Sequence, residues 1–281
     1  MPLTRVRSLL FMPATRADMI AKIPRIAPDV AVADLEDAVH VADKERARGV
    51  AAAAIDALGP DVPVTVLVRV NPVGSPWFAD DVAAAAGCAA AGIVVPKLAT
   101  RHQLADVRQV LARHSWSGAL LVAGLETVLG VAEARALVAA GVSAAYFGAE
   151  DYIADIGGRR TRGGAEVLYA RSQVAMAAHL AGIPAIDQAV VGLGDDEHFR
   201  ADAGGGRDLG YQGKICIHPR QVTLAHEVFT PTEAELARAR AVVEAGRAGV
   251  AVVDGEMVDD VHVRMARAVL DRDPGAAETA P

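Results

Sequence analysis

Residues 7–19 read RSLLFMPATRADM, a short apolar run that meets a proline and passes straight into a polar stretch. The run has the composition of a buried strand. The polar stretch after it separates two architectures built from such strands. A doubly wound sheet places a glycine-rich phosphate loop after its first strand, and FMPATRADM contains no glycine. The sequence therefore favours a barrel of parallel strands with helices outside.

The same kind of run recurs along the chain. DVAVADLED (29–37), VTVLVRV (64–70), AGIVVPK (91–97), ALLVAGLE (119–126), VSAAYFGAED (142–151), PAIDQAVV (184–191) and YQGKICIHP (211–219) complete a set of eight strand candidates. Between them lie alanine-rich stretches with helical period, such as TRHQLADVRQVLARH and GGAEVLYARSQVAMAAHLAG. Gly141, Gly182 and Gly210 stand where helices end in left-handed caps. The strands are continuously apolar rather than alternating, the mark of parallel strands covered on both faces. Eight such units fit a (β/α)8 TIM barrel, whose usual length is ~250 residues. The expected catalytic barrel covers residues 1–229.

Past residue 229 the chain exceeds what a barrel needs. TPTEAELARARAVVEAGRAG opens like a capped helix, VAVVDGEMVDD reads as an extended acidic loop, and VHVRMARAVLDR is amphipathic. This predicts a C-terminal helical extension over 230–272 that packs on its own barrel or on a neighbouring subunit, the latter favoured, with a disordered tail over 273–281.

The 281 residues are 52% hydrophobic and 22% charged, enough apolar material for a large core. A net charge of −7, with GGRRTR (157–162) as the one short basic run, argues against a nucleic-acid surface. Cys88 and Cys216 are far apart and lack CxxC spacing, which argues against a disulfide framework or a zinc knuckle. The N-terminal apolar stretch is too short for a signal peptide, and no window reaches the ~20 apolar residues of a membrane span. The expectation is a soluble, cytoplasmic protein with neither nucleic-acid nor membrane partners.

A barrel of this kind keeps its chemistry at the C-terminal ends of its strands. There the sequence offers Glu36 and Asp37, Arg69 and Asn71, Lys97, Glu126, Glu150 and Asp151, and Lys214 and His218. Several acids with a few cations suit an oxygen-liking divalent ion such as magnesium, which takes one or two carboxylates and leaves places for water and substrate. Glu126 and Asp151 end neighbouring strands, so they are either ligands of one ion or caps of the helices beyond. Zinc has no histidine pair to hold it. Arg69, inside a buried strand, needs an anion, supplied by a ligand or by an internal salt bridge. Asp34 reads as a structural hydrogen-bond partner, Asp43 and Glu45 as acids of a helix start, and His218 as structural. GGRRTRGG is a solvated loop or a phosphate contact for a large anionic ligand.

Several motifs in order, RSLLFMPATRADMIAKI, VADLEDAV with DKERAR, VRVNPVGSPWFADD, GIVVPKL, GLETVLGV, YFGAEDYIADIGGRRT and GKICIHPRQV, resemble the CitE-like branch of the HpcH/HpaI aldolase family over roughly residues 5–270. That group includes the citrate lyase β-subunit and the malyl-CoA and citramalyl-CoA lyases. The resemblance implies a magnesium-dependent TIM barrel (manganese being a possible substitute), assembled as a homotrimer or hexamer. It implies cleavage or formation of a carbon–carbon bond between an acyl thioester of coenzyme A and a short 2-keto acid. Carried over residue by residue, Glu126 and Asp151 are the metal ligands, and Arg69 holds the keto-acid carboxylate with the amides around Gly148 and Ala149. Asp259 of MVD, from a neighbouring subunit, is the acid/base at the thioester α-carbon. Glu36 and Asp37 would hydrogen-bond metal-bound waters or orient Arg69. The chain departs from the family pattern at Ala14, where glycine is common, at ETVLG in place of an ETARG-like run, and at Asp260, where proline often comes after MVD. Thioester hydrolysis, a citryl carrier-protein lyase subunit, an aldolase acting on free hydroxy-keto acids and a non-catalytic scaffold are the alternatives.

Overall fold

Valine, isoleucine, leucine and alanine dominate the strands because both faces of each are covered. The structure, a computed structural model, describes residue 3 and residues 6–273. Among these, eight parallel strands close into a barrel in chain order: β1 (Ser8–Pro13), β2 (Val30–Asp34), β3 (Thr65–Arg69), β4 (Gly92–Val95), β5 (Leu120–Leu125), β6 (Ala144–Phe147), β7 (Ala185–Asp187) and β8 (Gly213–Cys216). The interior is filled by Leu9, Val32, Leu67, Val94, Val122, Tyr146 and Ile186, each large aliphatic contributing about 1.5–3 kcal/mol on burial. Helices connect successive strands, as the right-handed crossover requires. The fold is a (β/α)8 TIM barrel with C-terminal helices.

The strands stop earlier than their apolar runs suggest. β7 spans only Ala185–Asp187, and β2 ends at Asp34, whose carboxylate accepts the Glu36 amide at 2.8 Å and turns the chain. Glu36, Asp37, Lys97 and Glu126 therefore lie just beyond the ladder, on the loops of the C-terminal face, and Asp151 lies in the first turn of the helix after β6. Register places Asp34 directly beside Arg69, and Gly124 beside Tyr146.

The chain divides into two compact units, one running to His226 and the other starting at Glu227. In the second, Thr232 and Glu235 form a reciprocal capping box at the helix Glu233–Ala245. VAVVDGEMVDD is not an extended loop. It folds into an antiparallel hairpin, β9 (Ala251–Val253) and β10 (Glu256–Val258). The turn is made by Asp254 and Gly255, both at positive φ, the conformation that the tight two-residue turn demands. The helix Asp260–Leu270 comes next and packs with the helix Glu233–Ala245 around Ala239, Val242, Val258, Val263 and Ala266. Of the expected disordered tail, all but Asp273 lies outside the described residues. Among them no helix is long and apolar enough to cross a membrane.

Candidate active site

Arg69 ends β3 with its side chain at the barrel mouth. Its neighbour in register, Asp34, takes both prongs of a bidentate fork, at 2.7 Å to Nε and 2.6 Å to Nη2. Glu36 Oε2 lies 2.8 Å from Nη1, an ion pair outside hydrogen-bond alignment. Burial disfavours the guanidinium's charge, but Asp34 outweighs it and raises the Arg69 pKa further. Phe11 lies under the guanidinium, 4.9 Å from ring centroid to Cζ. Of the five N–H donors on a guanidinium, two bond Asp34 and three remain for an anion in the mouth.

Glu36 is buried, which raises its pKa, although Arg69 and Lys97 oppose the shift. Its Oε1 is 2.5 Å from Lys97 Nζ, which also reaches Asp151 at 3.2 Å and Asp37 at 3.4 Å. Lys97 adopts φ of 52°, a left-handed conformation costly for a side chain of this size. The reward is local: its amide donates to Glu126 Oε1 at 2.8 Å. Glu126 is almost wholly buried, and burial pushes its pKa up to about 7, with Arg69 pulling down and Glu36 and Asp151 adding to the rise. Its side chain lies flat against Gly148, where a Cβ would overlap both the Glu126 Cβ and Oε2.

Neither proposed ligand is a helix cap. Thr127 caps the helix after β5 by accepting the Gly130 amide, and Asp155 accepts the Val128 amide. Gly148 is the N-cap of the helix Ala149–Ile156, with Asp151 in its first turn. The Gly148 amide turns to the Leu125 carbonyl at 3.4 Å, so the amide of Ala149 is the one that opens the helix end. These groups line a cavity of about 370 Å3 that takes in Phe11, Asp34, Asp37, Arg69, Glu126, Tyr146, Gly148, Ala149 and Asp151.

The donor set fits magnesium. Five carboxylates (Asp34, Glu36, Asp37, Glu126 and Asp151) face Arg69, Lys97 and the buried Lys44, whose ammonium sits on the Leu35 and Glu36 carbonyls. With Glu126 ionised, two negative charges are in excess. Among the described residues no three acids, histidines or cysteines converge to hold an ion unaided. Two carboxylates completed by water and substrate are what magnesium accepts.

The model of the HpcH/HpaI aldolase/citrate lyase family matches residues 7–219. The chain belongs to this family. It is similar, at 50% identity over 97% of its length and 99% of the relative's, to a citrate lyase subunit beta-like protein of Deinococcus radiodurans. A (3S)-malyl-CoA thioesterase of Cereibacter sphaeroides is 31% identical over 94% of this chain and 93% of the relative. Among solved structures of the family, the CitE protein of Mycobacterium tuberculosis in complex with magnesium, acetoacetate and coenzyme A superposes with a TM-score of 0.83. It is 30% identical and covers 96% of this chain and 98% of that one.

The structure thus brings Arg69, Glu36, Asp37, Glu126, Gly148, Ala149 and Asp151 to one mouth. Asp259 belongs to the second unit and is not among the residues lining the cavity. It caps the helix Asp260–Leu270, its Oδ1 accepting from the Val261 amide at 2.9 Å and meeting His262 Nδ1 at 2.7 Å. The His262 bond holds its carboxyl below the usual range. The clamp on Arg69 comes from Asp34 and Glu36, while Asp37 faces Lys97. Sequence reasoning gave Asp34 a structural hydrogen bond only, and it left Lys97 and Tyr146 without a role. Two of the three arginines of the basic run are ion-paired, Arg160 with Glu150 and Glu166, and Arg162 with Asp195.

Proposed function

We propose that this chain is a carbon–carbon lyase that cleaves, or in reverse condenses, a 3-hydroxyacyl-CoA thioester such as malyl-CoA, citramalyl-CoA or a citryl thioester. The products are an acyl thioester and a short 2-keto acid. The observation that carries the reading is the pinned guanidinium of Arg69 opening beside two carboxylates, Glu126 and Asp151, in a cavity of keto-acid size. Arg69 binds the substrate carboxylate at its remaining donors, helped by the Ala149 amide and the positive end of its helix. Held by Asp34 and Glu36, it cannot swing, so the carbon–carbon bond is presented in one orientation. Glu126 and Asp151 hold magnesium, which when bound polarises the substrate's hydroxyl and carboxylate oxygens. The substrate hydroxyl gives its proton to the Asp259 carboxylate as the carbon–carbon bond breaks, its oxygen becoming the ketone of the 2-keto acid while the bonding pair leaves as a thioester enolate. Asp259 protonates that carbon, and in condensation removes the same proton.

We further assign Asp259 to the mouth of a neighbouring copy in a homotrimer or hexamer. The second unit exposes Val250, Val252, Met257, Val261 and Met265, apolar side chains that a neighbouring subunit would cover. Val128 and Leu129, in the first turn of the helix after β5, and Val191, Leu193 and Ile217, on loops, are exposed as well. A second reading, thioester hydrolysis on the same hydroxyacyl-CoA esters, is favoured by the malyl-CoA thioesterase relative. The lyase reading is tested with Asp151→Asn. The variant should stay folded and lose magnesium-dependent release of keto acid by at least about 100-fold, as removal of a charge-stabilising group does. Turnover at the wild-type rate would overturn the assignment.

A further inference from the structure

The floor of the cavity holds a hydroxyl that lies beside the Glu126 carboxylate without a well-formed hydrogen bond to it and stands apart from the carboxylate clamp. Tyr146 points inward from β6, and its ring meets Phe11 edge-on at 6.2 Å between centroids. Phe11 in turn lies under Arg69. The chain makes room for the phenol at its register partner on β5. A Cβ on Gly124 would overlap the Tyr146 hydroxyl, so glycine there lets the ring cross over β5 and aim its oxygen up the strand toward Glu126, two residues on and on the same face. Tyr146 is 1% exposed and lines the cavity, yet among the described residues its hydroxyl has no hydrogen-bond partner. Phenylalanine would fill the same space without burying an unsatisfied donor, and such donors are rare in native interiors.

We propose that the Tyr146 hydroxyl is a substrate-binding donor that hydrogen-bonds the oxygen on C2 of the 2-keto acid, the atom that is a hydroxyl in the thioester and a ketone after cleavage. The position is set by the neighbours. Arg69 takes the carboxylate, and the oxygen one carbon further along falls on the Glu126 side, over the phenol. No proton is transferred, because the phenol donates a hydrogen bond in both directions of the reaction and keeps its O–H bond. This makes Tyr146 a specificity-determining residue that selects 2-oxo acids from acids lacking that oxygen. A hydroxyl that gains a partner in that oxygen favours the acid carrying it by about one hydrogen bond over the analogue without it.

The inference rests on the keto-acid reading of the cavity, and calorimetric binding separates the two. Pyruvate and propionate, which differ by the C2 oxygen, are titrated into wild type and Tyr146→Phe with magnesium at a fixed concentration. Wild type should prefer pyruvate. In Tyr146→Phe pyruvate should weaken by about threefold to tenfold, the yield of one neutral hydrogen bond, while propionate binding is unchanged. Gly124→Ala, which crowds the hydroxyl, should shift pyruvate in the same direction. If wild type binds both acids equally, the keto-acid reading itself fails. If wild type discriminates and Tyr146→Phe keeps the same ratio, or loses both acids equally, Tyr146 is a packing residue and the proposal is overturned.

Discussion

Replacing Glu126 with glutamine should stabilise the metal-free protein at alkaline pH. Glu126 is 2% exposed, and burial raises its carboxyl from an ordinary 4.5 to about 7. A raised carboxyl binds its proton more tightly in the folded chain than in the unfolded one. The stability this contributes is fully present below pH 4.5 and is lost as pH climbs through about 7. At about 1.4 kcal/mol for each tenfold change in proton affinity, the loss across that window is about 3 kcal/mol. Glutamine cannot ionise, and it keeps an oxygen to accept the Lys97 amide that Glu126 now takes at 2.8 Å. Thermal unfolding in EDTA should therefore put Glu126→Gln about 5–10 °C above wild type at pH 8, and within a degree or two of it near pH 5. Magnesium added at pH 8 should raise the wild-type midpoint and leave the variant where it is. A variant with the wild-type pH slope, or one less stable than wild type at pH 8, would show that no strained carboxylate is kept here for binding a cation.

The same geometry sets three other outcomes. Arg69→Lys loses the fork to Asp34, which lysine cannot reproduce; kcat/KM should fall by about 10–150-fold, the equivalent of about 1.5–3 kcal/mol, with circular dichroism unchanged. Gly148→Ala pushes a methyl group into Glu126 Oε2; magnesium affinity by calorimetry should drop at least about tenfold, the effect of disturbing a ligand's support, and wild-type affinity would mean that Glu126 is not a ligand. Asp259→Asn should retain magnesium and keto-acid binding and lose deuterium exchange at the acyl-thioester α-carbon; mixed with an Arg69→Ala protein, it should regain activity if the two residues meet across subunits.

The barrel was legible because both-face burial leaves a direct trace in continuous apolar runs, and because FMPATRADM lacks the glycines of the rival fold. Arg69 announced itself, since a cation in such a run needs an anion. Its partner did not. Asp34 lies thirty-five residues away and meets Arg69 only through the parallel register of β2 and β3, which period alone does not fix. The strained Lys97 was hidden for a related reason: its φ is imposed by the position of Glu126 on the next strand, not by its own neighbours in sequence. Tyr146 carries no signal of its own in the sequence, and only the space above Gly124 shows where its hydroxyl goes. The hairpin of the second unit could have been found. Asp254-Gly255 directly after Val252 and Val253 is a strong hairpin signal, but the surrounding acids made the stretch look like a loop.

Whether the mouth breaks a carbon–carbon bond can be read from product partition. A panel of malyl-, citramalyl- and citryl-CoA esters is incubated with magnesium and the intact protein, and keto acid, acyl-CoA and free CoA are quantified in the same reaction. At least one ester should give keto acid and acyl-CoA in equal amounts, with free CoA absent from the first turnovers. Free CoA appearing without keto acid would make the protein a thioesterase and overturn the lyase assignment.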